Sequence, residues 1–420
     1  MSVLFRSLQS KMGQNVFHCI LRRGKYKVNN SNENTPLLQT PPKSDQTQGE
    51  RSASTEAEFS VKPCDLHRLD KGPAEKVKIS SEEVLKLYRE MQAIRRLEIA
   101  SSTLYKERMI VGFCHLYSGQ EAVCVGMKSM MRPQDSIVGS YRIHGWAYSF
   151  GVSALGVLAE QTGRHSGISR GKGGSMHMYE KNFFGGSGIV GAQVPLAAGV
   201  AFANKYKGND GICYGIYGDG AANNGQVFEA FNMSALWSLP VCFVCENNLY
   251  SMGTSVNRST ASPDYYKRGD FVPGLRVDGM DILAVRAATK FVTEYCTSGK
   301  GPLLMEIVTY RYSGHSMSDP GTTYRSREEV ADVRKSRDPI LIFKQRVLEA
   351  KLVTEDQLKA LDKDVKEEVD EAIRKSKTDS FLPDEELAND VYVKNLEPEI
   401  RGNTPFDNYK PRTTVTPINL

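Results

Sequence analysis

No run of 18 apolar residues occurs in the 420-residue chain, so the sequence offers no candidate for a membrane-spanning helix. Acid is missing from the first 32 residues, which carry six basic side chains: Arg6, Lys11, Arg22, Arg23, Lys25 and Lys27. Removing these from the 54 basic residues leaves 48 against 49 acids. The formal charge of +5 therefore belongs to the leader, and the remaining chain lacks the basic excess that a nucleic-acid partner would favour. The leader also lacks a compact apolar segment followed by a small-residue cleavage site, which argues against a secretory signal. Its basic, Ser- and Leu-containing composition predicts a mitochondrial transit peptide over residues 1–30. The eight cysteines are scattered and do not form a disulfide framework. Cys242 and Cys245 have a C-x-x-C spacing but lie in VCFVC, a strand-like sequence in which residues three apart point to opposite faces. Metal or redox use of that pair is not expected.

What remains is 40% hydrophobic and 25% charged, enough for a full globular core. Residues 31–57 are polar and rich in Pro, Ser and Gln, and read as a linker. From Ser80, SSEEVLKLYREMQAIRRLEIASSTLYKE predicts a long amphipathic helix with Ser81 as its N-cap and glutamates in its first turn. Between about 110 and 310, short apolar runs (GICYGIY, LPVCFVC, PLLMEIVTY) alternate with helical patterns and glycine-rich joints. That alternation predicts an α/β fold with a mostly parallel sheet, in a domain spanning 58–335. A helical part of the same domain follows over 336–385. A tail rich in Pro, Asn and Asp covers 386–420.

One stretch carries chemistry. In GDGAANNGQVFEAFNMSALWSLPVCFVCENN, Gly218 to Asn248, a strand ends at Gly218, a helix follows, and a second strand ends just before Asn247. A strand, crossover helix and parallel strand bring both strand ends to one edge of the sheet, so Asp219 and Asn248 become neighbours. A carboxylate and an amide oxygen suit Mg²⁺, which takes few protein oxygens and leaves positions for phosphates. The glycines permit close backbone approach to a diphosphate.

Gly-Asp-Gly followed by Asn-Asn resembles the thiamine-diphosphate motif of thiamine-dependent enzymes. The resemblance extends to YSGQEAVCVGM (117–127), SYRIHGWAYSFG (140–151), GKGGSMHMY (171–179), GGSGIVGAQVPLAAG (185–199), CENNLYSMGTS (245–255) and RYSGHSMSDPGTTYRSREE (311–329). Together these blocks are similar to the alpha subunits of the decarboxylating component of mitochondrial pyruvate dehydrogenase complexes, within the thiamine-dependent 2-oxo acid dehydrogenase family, over about residues 60–405. The resemblance implies a thiamine-diphosphate-binding fold with helical N- and C-terminal additions, in the mitochondrial matrix. It also implies decarboxylation of pyruvate and acetylation of the lipoyl group of an acyltransferase, feeding acetyl-CoA formation. Asp219, Asn248 and the Tyr250 carbonyl would hold Mg²⁺. Gly220 and Ala221 would line the diphosphate, and Tyr141 and Arg142 the phosphate and substrate. Gly188 and Val190 would meet the aminopyrimidine, with Pro195 opening the next helix. His315 and His115 are the active-site histidines by motif, and His144 is a weaker match. His67, His165 and His177 read as structural.

These alpha subunits receive the carboxylate for the aminopyrimidine nitrogen from a beta subunit in an α₂β₂ heterotetramer, and no second cofactor domain is visible in this sequence. Other implied partners are the lipoyl domain of the dihydrolipoyl acetyltransferase and a dedicated kinase and phosphatase. Ser316 and Ser255 match phosphorylation positions. Ser313, Asn224, Ser251 and Thr323 depart from the usual His, Gln, Gly and Ser; none is expected to touch a metal ligand. A branched-chain 2-oxo acid alpha subunit and a non-catalytic assembly paralogue are the competing readings.

Overall fold

The computed structural model describes residues 55–391, 399–402, 404 and 406–410. The transit-peptide segment, most of the linker and parts of the tail lie outside the described residues. The linker ends earlier than expected, because β1 (Glu56–Ser60) includes its last two residues. EAEFS alternates polar and apolar residues, and antiparallel pairing with β3 (Lys76–Ser80) sets Ala57 opposite Ile79 and Phe59 opposite Val77. β2 (Asp65–His67) lies between them in sequence.

Helix α1 (Ser81–Lys106) is capped by Ser80 rather than Ser81. Ser80 Oγ accepts from the Glu83 amide at 3.2 Å, and the Glu83 carboxylate accepts from the Ser80 amide at 3.2 Å. A capping box needs Glu or Gln three positions after the cap, which Ser80 has and Ser81, followed by Val84, does not. Such a cap contributes about 1 kcal/mol. Val84, Leu87, Met91, Ile94 and Leu97 recur at helical spacing and are buried along one stripe; each buried side chain of this size contributes about 1.5–3 kcal/mol.

Then follow α2 (Glu121–Lys128), β4 (Ser136–Val138), α3 (His144–Ser149), α4 (Ala154–Gln161), α5 (Gln193–Lys207), β5 (Cys213–Gly218), α6 (Gly225–Leu236) and β6 (Val241–Asn247). Pro195 is the third residue of α5, not the first. Proline is tolerated there because first-turn amides have no partner within the helix. A hairpin of β7 (Tyr250–Ser251) and β8 (Thr254–Ser255) leads into the one-turn α7 (Val256–Ser259), β9 (Gly274–Asp278), α8 (Ile282–Tyr295) and β10 (Leu303–Val308). Helices α9 (Arg327–Arg337), α10 (Pro339–Glu349) and α11 (Glu355–Thr378) follow, and α11 packs on α1 and α4.

The central sheet has the order β2-β9-β10-β6-β5-β4, parallel except for β2 at one edge. Both faces are covered, as expected of a parallel sheet. Cys242 and Val244 of β6 enter one core cluster, while Val241, Phe243 and Cys245 enter the other. The C-x-x-C pair is therefore split across the sheet, and all seven described cysteines are free.

Candidate cofactor and substrate site

Strand register builds the first end of the site. Gly218, the last residue of β5, pairs with Glu246 of β6, so Asp219 and the two asparagines leave the sheet side by side. Asn247 turns away, donating to Glu306 at 2.8 Å and accepting from the Leu249 amide at 3.1 Å. Asn248 faces the site. Leu249 takes a left-handed conformation (φ 73°), uncommon for a non-glycine residue, and lies between Asn248 and Tyr250. The Asn248 Oδ1 and the Tyr250 carbonyl both accept from Arg311 Nη1, at 3.2 and 3.0 Å, so these two oxygens converge on one cationic group. Asp219 is 2% exposed. Burial raises its carboxyl above the ordinary range; the Ser251 hydroxyl, the Asn248 amide and the Arg311 charge oppose that rise. Ser251 Oγ donates to Asp219 Oδ2 at 2.6 Å, so one departure from the family pattern does touch a candidate metal ligand. The strand pattern hides this because the hairpin, not the strand, brings Ser251 back over Asp219.

Loops build the second end. The Tyr141 hydroxyl lies 3.0 Å from His315 Nε2, and the His115 ring centroid lies 4.6 Å from that of Tyr141 and 5.3 Å from that of His315. Burial, reinforced by the Arg142 and Arg311 charges, lowers His315 to about 4. Burial and Arg142 hold His115 lower still. Both imidazoles are neutral at pH 7. Arg142 is buried, and its two Nη groups donate to the carbonyls of Leu116 and His315, tying the two histidine loops together. Asp319 accepts from the amides of His315 (2.7 Å) and Gly321 (2.8 Å). Arg325 donates to the carbonyls of Arg311 and Ser313. The loop uses the Ser313 carbonyl here, so these bonds do not depend on which side chain stands at 313.

The two ends face one cavity of about 400 Å³, lined also by Gly188, Val190, Gly220 and Ala221. Ser255 is not among its lining; it borders a larger cavity of about 710 Å³ that shares Tyr250. Ser316 is 9% exposed, with its hydroxyl 2.9 Å from that of Ser318. Three buried polar atoms on lining residues, His115 Nδ1, Gln120 Nε2 and Gln193 Oε1, have no hydrogen-bond partner among the described residues, which fits a polar ligand. Among the described residues no cluster of three or more His, Cys, Asp or Glu could hold a metal. A set with one acid, one amide and one carbonyl instead suits Mg²⁺ that shares its coordination with phosphates.

Sequence patterns did not reveal the contacts made behind the wall. His144 does not line the cavity. It is fully buried, with Nδ1 3.0 Å from Glu98 and Nε2 2.8 Å from the Ser175 hydroxyl. Glu98 also accepts from the Tyr117 amide at 2.8 Å. Glu246 lines the cavity, bonded to the Tyr117 hydroxyl, and burial pushes its carboxyl up to about 7. Glu160 accepts from the amides of Ser169 (2.7 Å), Gly171 (2.9 Å), Gly173 (2.6 Å) and Gly174 (3.2 Å). The partners of Glu98 and Glu246 are distant in sequence, and Glu160, a lone acid in a helix, gives no signal of the loop amides it meets.

Hard oxygens at the carboxyl edge of a parallel sheet, facing neutral imidazoles across one cavity, define an α/β chain with its ligand site where such sheets place it. The chain belongs to the Dehydrogenase E1 component family, which it matches over residues 89–384. It is 60% identical over 358 residues to a Caenorhabditis elegans protein named probable pyruvate dehydrogenase E1 component subunit alpha, mitochondrial, covering 85% of this chain and 90% of that protein. It is 55% identical over 360 residues to the testis-specific mitochondrial form of that subunit from Homo sapiens, covering 86% and 93% of the two chains. The somatic form from Bos taurus is 54% identical over 360 residues, covering 86% and 92%. The chain is thus part of an oxidoreductase of the 2-oxo acid dehydrogenase family, and membership implies thiamine diphosphate as cofactor.

Proposed function

We propose that this chain is the alpha subunit that, with Mg²⁺ and thiamine diphosphate, decarboxylates pyruvate and passes the two-carbon unit to a lipoyl group in the mitochondrial matrix. The observation that carries this reading is the meeting of Asp219, Asn248 and Tyr250 with His115, Tyr141, Arg142 and His315 around one cavity. The cofactor, when bound, supplies the electron sink for loss of carbon dioxide. The chain's own residues bind and orient. Asp219, Asn248 Oδ1 and the Tyr250 carbonyl hold the cation, while Gly220 and Ala221 give the diphosphate room. Gly188 fits a close ligand approach, since a Cβ there would meet nothing nearer than 3.6 Å. Arg311, lowered by burial to about 10, stays charged, and with Arg142 it makes the cavity favourable to the substrate carboxylate. Neutral His115 and His315 are able to donate a hydrogen bond to developing negative charge without adding a cation.

The partner is a beta subunit. Leu196, Phe202 and Tyr206 of α5, Leu236 at the end of α6 and Trp237 just after it are exposed, with Phe202 packing on both Tyr206 and Trp237. An apolar face of this kind supports a protein interface, and the cavity residue Val190 and its neighbour Ile189, both exposed, lie just before α5. That partner also supplies the carboxylate for the aminopyrimidine, because Glu246 is already engaged by Tyr117. Phosphorylation of Ser316 adds roughly −1.5 to −2 charges beside the substrate end and closes the site to anions; a kinase and phosphatase at Ser316 and Ser255 complete the reading. Co-expression with a beta subunit, followed by a decarboxylation assay with pyruvate and branched-chain 2-oxo acids, tests it. Turnover of pyruvate only by the assembled protein supports the reading; turnover by the chain alone, or preference for branched substrates, overturns it.

A further inference from the structure

Gln120 is 1% exposed, lies at the start of α2 and borders the cavity, in contact with Asn248. The identity of each amide atom around it follows from donor chemistry. A guanidinium can only donate, so the Asn248 atom facing Arg311 Nη1 is the oxygen. Asn248 Nδ2 then points the other way and donates to Gln120 at 2.9 Å, which makes the accepting atom Oε1. Gln120 Nε2 is left as a buried N–H₂ with no partner among the described residues. An orphaned buried donor costs about 1–3 kcal/mol, and in native proteins such groups generally find a partner.

Resting on the reading above, we infer that Gln120 is a two-sided residue of the site: Oε1 fixes the flip of Asn248 so that its oxygen faces the cation, and Nε2 donates to an anionic oxygen of the bound ligand. That oxygen belongs either to the diphosphate or to the substrate carboxylate. On the metal side Gln120 is a positioning residue, of the outer-sphere kind whose loss typically lowers metal affinity 10–100-fold. On the ligand side it is a contact.

Two variants separate the functions in the protein assembled with its beta subunit. Gln120→Glu keeps the acceptor for Asn248 and replaces the donor by a negative charge. Gln120→Met removes both at similar size. Mn²⁺ titrated at saturating thiamine diphosphate and followed by electron paramagnetic resonance reads the metal side. Cofactor titrated at saturating Mg²⁺ and followed by protein fluorescence reads the diphosphate, and KM for pyruvate reads the substrate. Gln120→Met is expected to weaken Mn²⁺ about tenfold or more, whereas Gln120→Glu leaves Mn²⁺ affinity near that of the wild type. Gln120→Glu weakens the cofactor if the diphosphate is the acceptor, or raises KM with cofactor affinity unchanged if the carboxylate is. A folded Gln120→Met variant with unaltered Mn²⁺, cofactor and pyruvate parameters overturns the inference. If the wild-type assembly itself binds no thiamine diphosphate with Mg²⁺, it is the underlying functional reading that fails.

Discussion

The two ends of the cavity are built by different means. At the acid end, Asp219 and Asn248 follow directly from paired strand ends, and the β5–β6 register fixes them. At the imidazole end, His115 and His315 sit on loops joined by Arg142, Asp319 and Arg325 through side-chain hydrogen bonds to backbone groups. A strand end moves only if the sheet moves. A loop held by a few buried charges opens when one of those charges is lost or opposed, so the first end suits permanent cofactor binding and the second suits control.

The largest test strikes the acid end: Asp219→Asn should lower decarboxylation about 10³-fold, as when several kcal/mol of charge stabilisation is removed, and abolish Mg²⁺-dependent cofactor binding. Arg325→Ala strikes the loop end and removes the side-chain donor to the Arg311 and Tyr312 carbonyls, while the Ser313 carbonyl keeps Arg311 Nε. Activity should fall roughly 10–100-fold and the 311–327 loop should become sensitive to trypsin, with the circular dichroism of the sheet unchanged. If both variants behaved alike, the contrast between the ends would be wrong. Ser316→Glu should raise KM for pyruvate about tenfold while Ser316→Ala leaves it unchanged and abolishes kinase inactivation; inactivation of the alanine variant would place control elsewhere.

The smallest effect is on pH. His315 has a folded value of about 4 against 6.5 ordinarily, so the unfolded chain binds the extra proton first. Its contribution is complete above about 6.5 and is lost as pH falls toward 4, and His115 acts in the same direction. The drop in melting temperature between pH 7 and pH 5 should therefore be smaller for His315→Gln than for the wild type. An identical drop in both would show that this imidazole is not held neutral.

Legibility in the sequence follows the same divide. The β5–α6–β6 unit and its two strand-end ligands were readable because period, spacing and chemistry act within one short segment. The Ser80 cap was readable in principle, since only Ser80 has a glutamate three residues on. β1 was hidden by a linker-like composition that continues into its first residues. Ser251 on Asp219, Gln120 on Asn248 and the Glu98–His144–Ser175 set were not readable, because each joins segments that meet only after folding. The motif match found the histidine loops, but packing alone explains why their imidazoles are neutral.

The bonds made by Glu160 give the glycine-rich GKGGS segment an unexpected character. Runs of converging amides of that type are commonly seats for phosphate, yet here the seat is filled by a carboxylate tethered to α4 of the same chain. The occupant cannot diffuse away, so dissolved phosphate or a nucleotide tail has no opening to compete for it. A segment that reads like a receptor for anions is in fact a latch, closed from within.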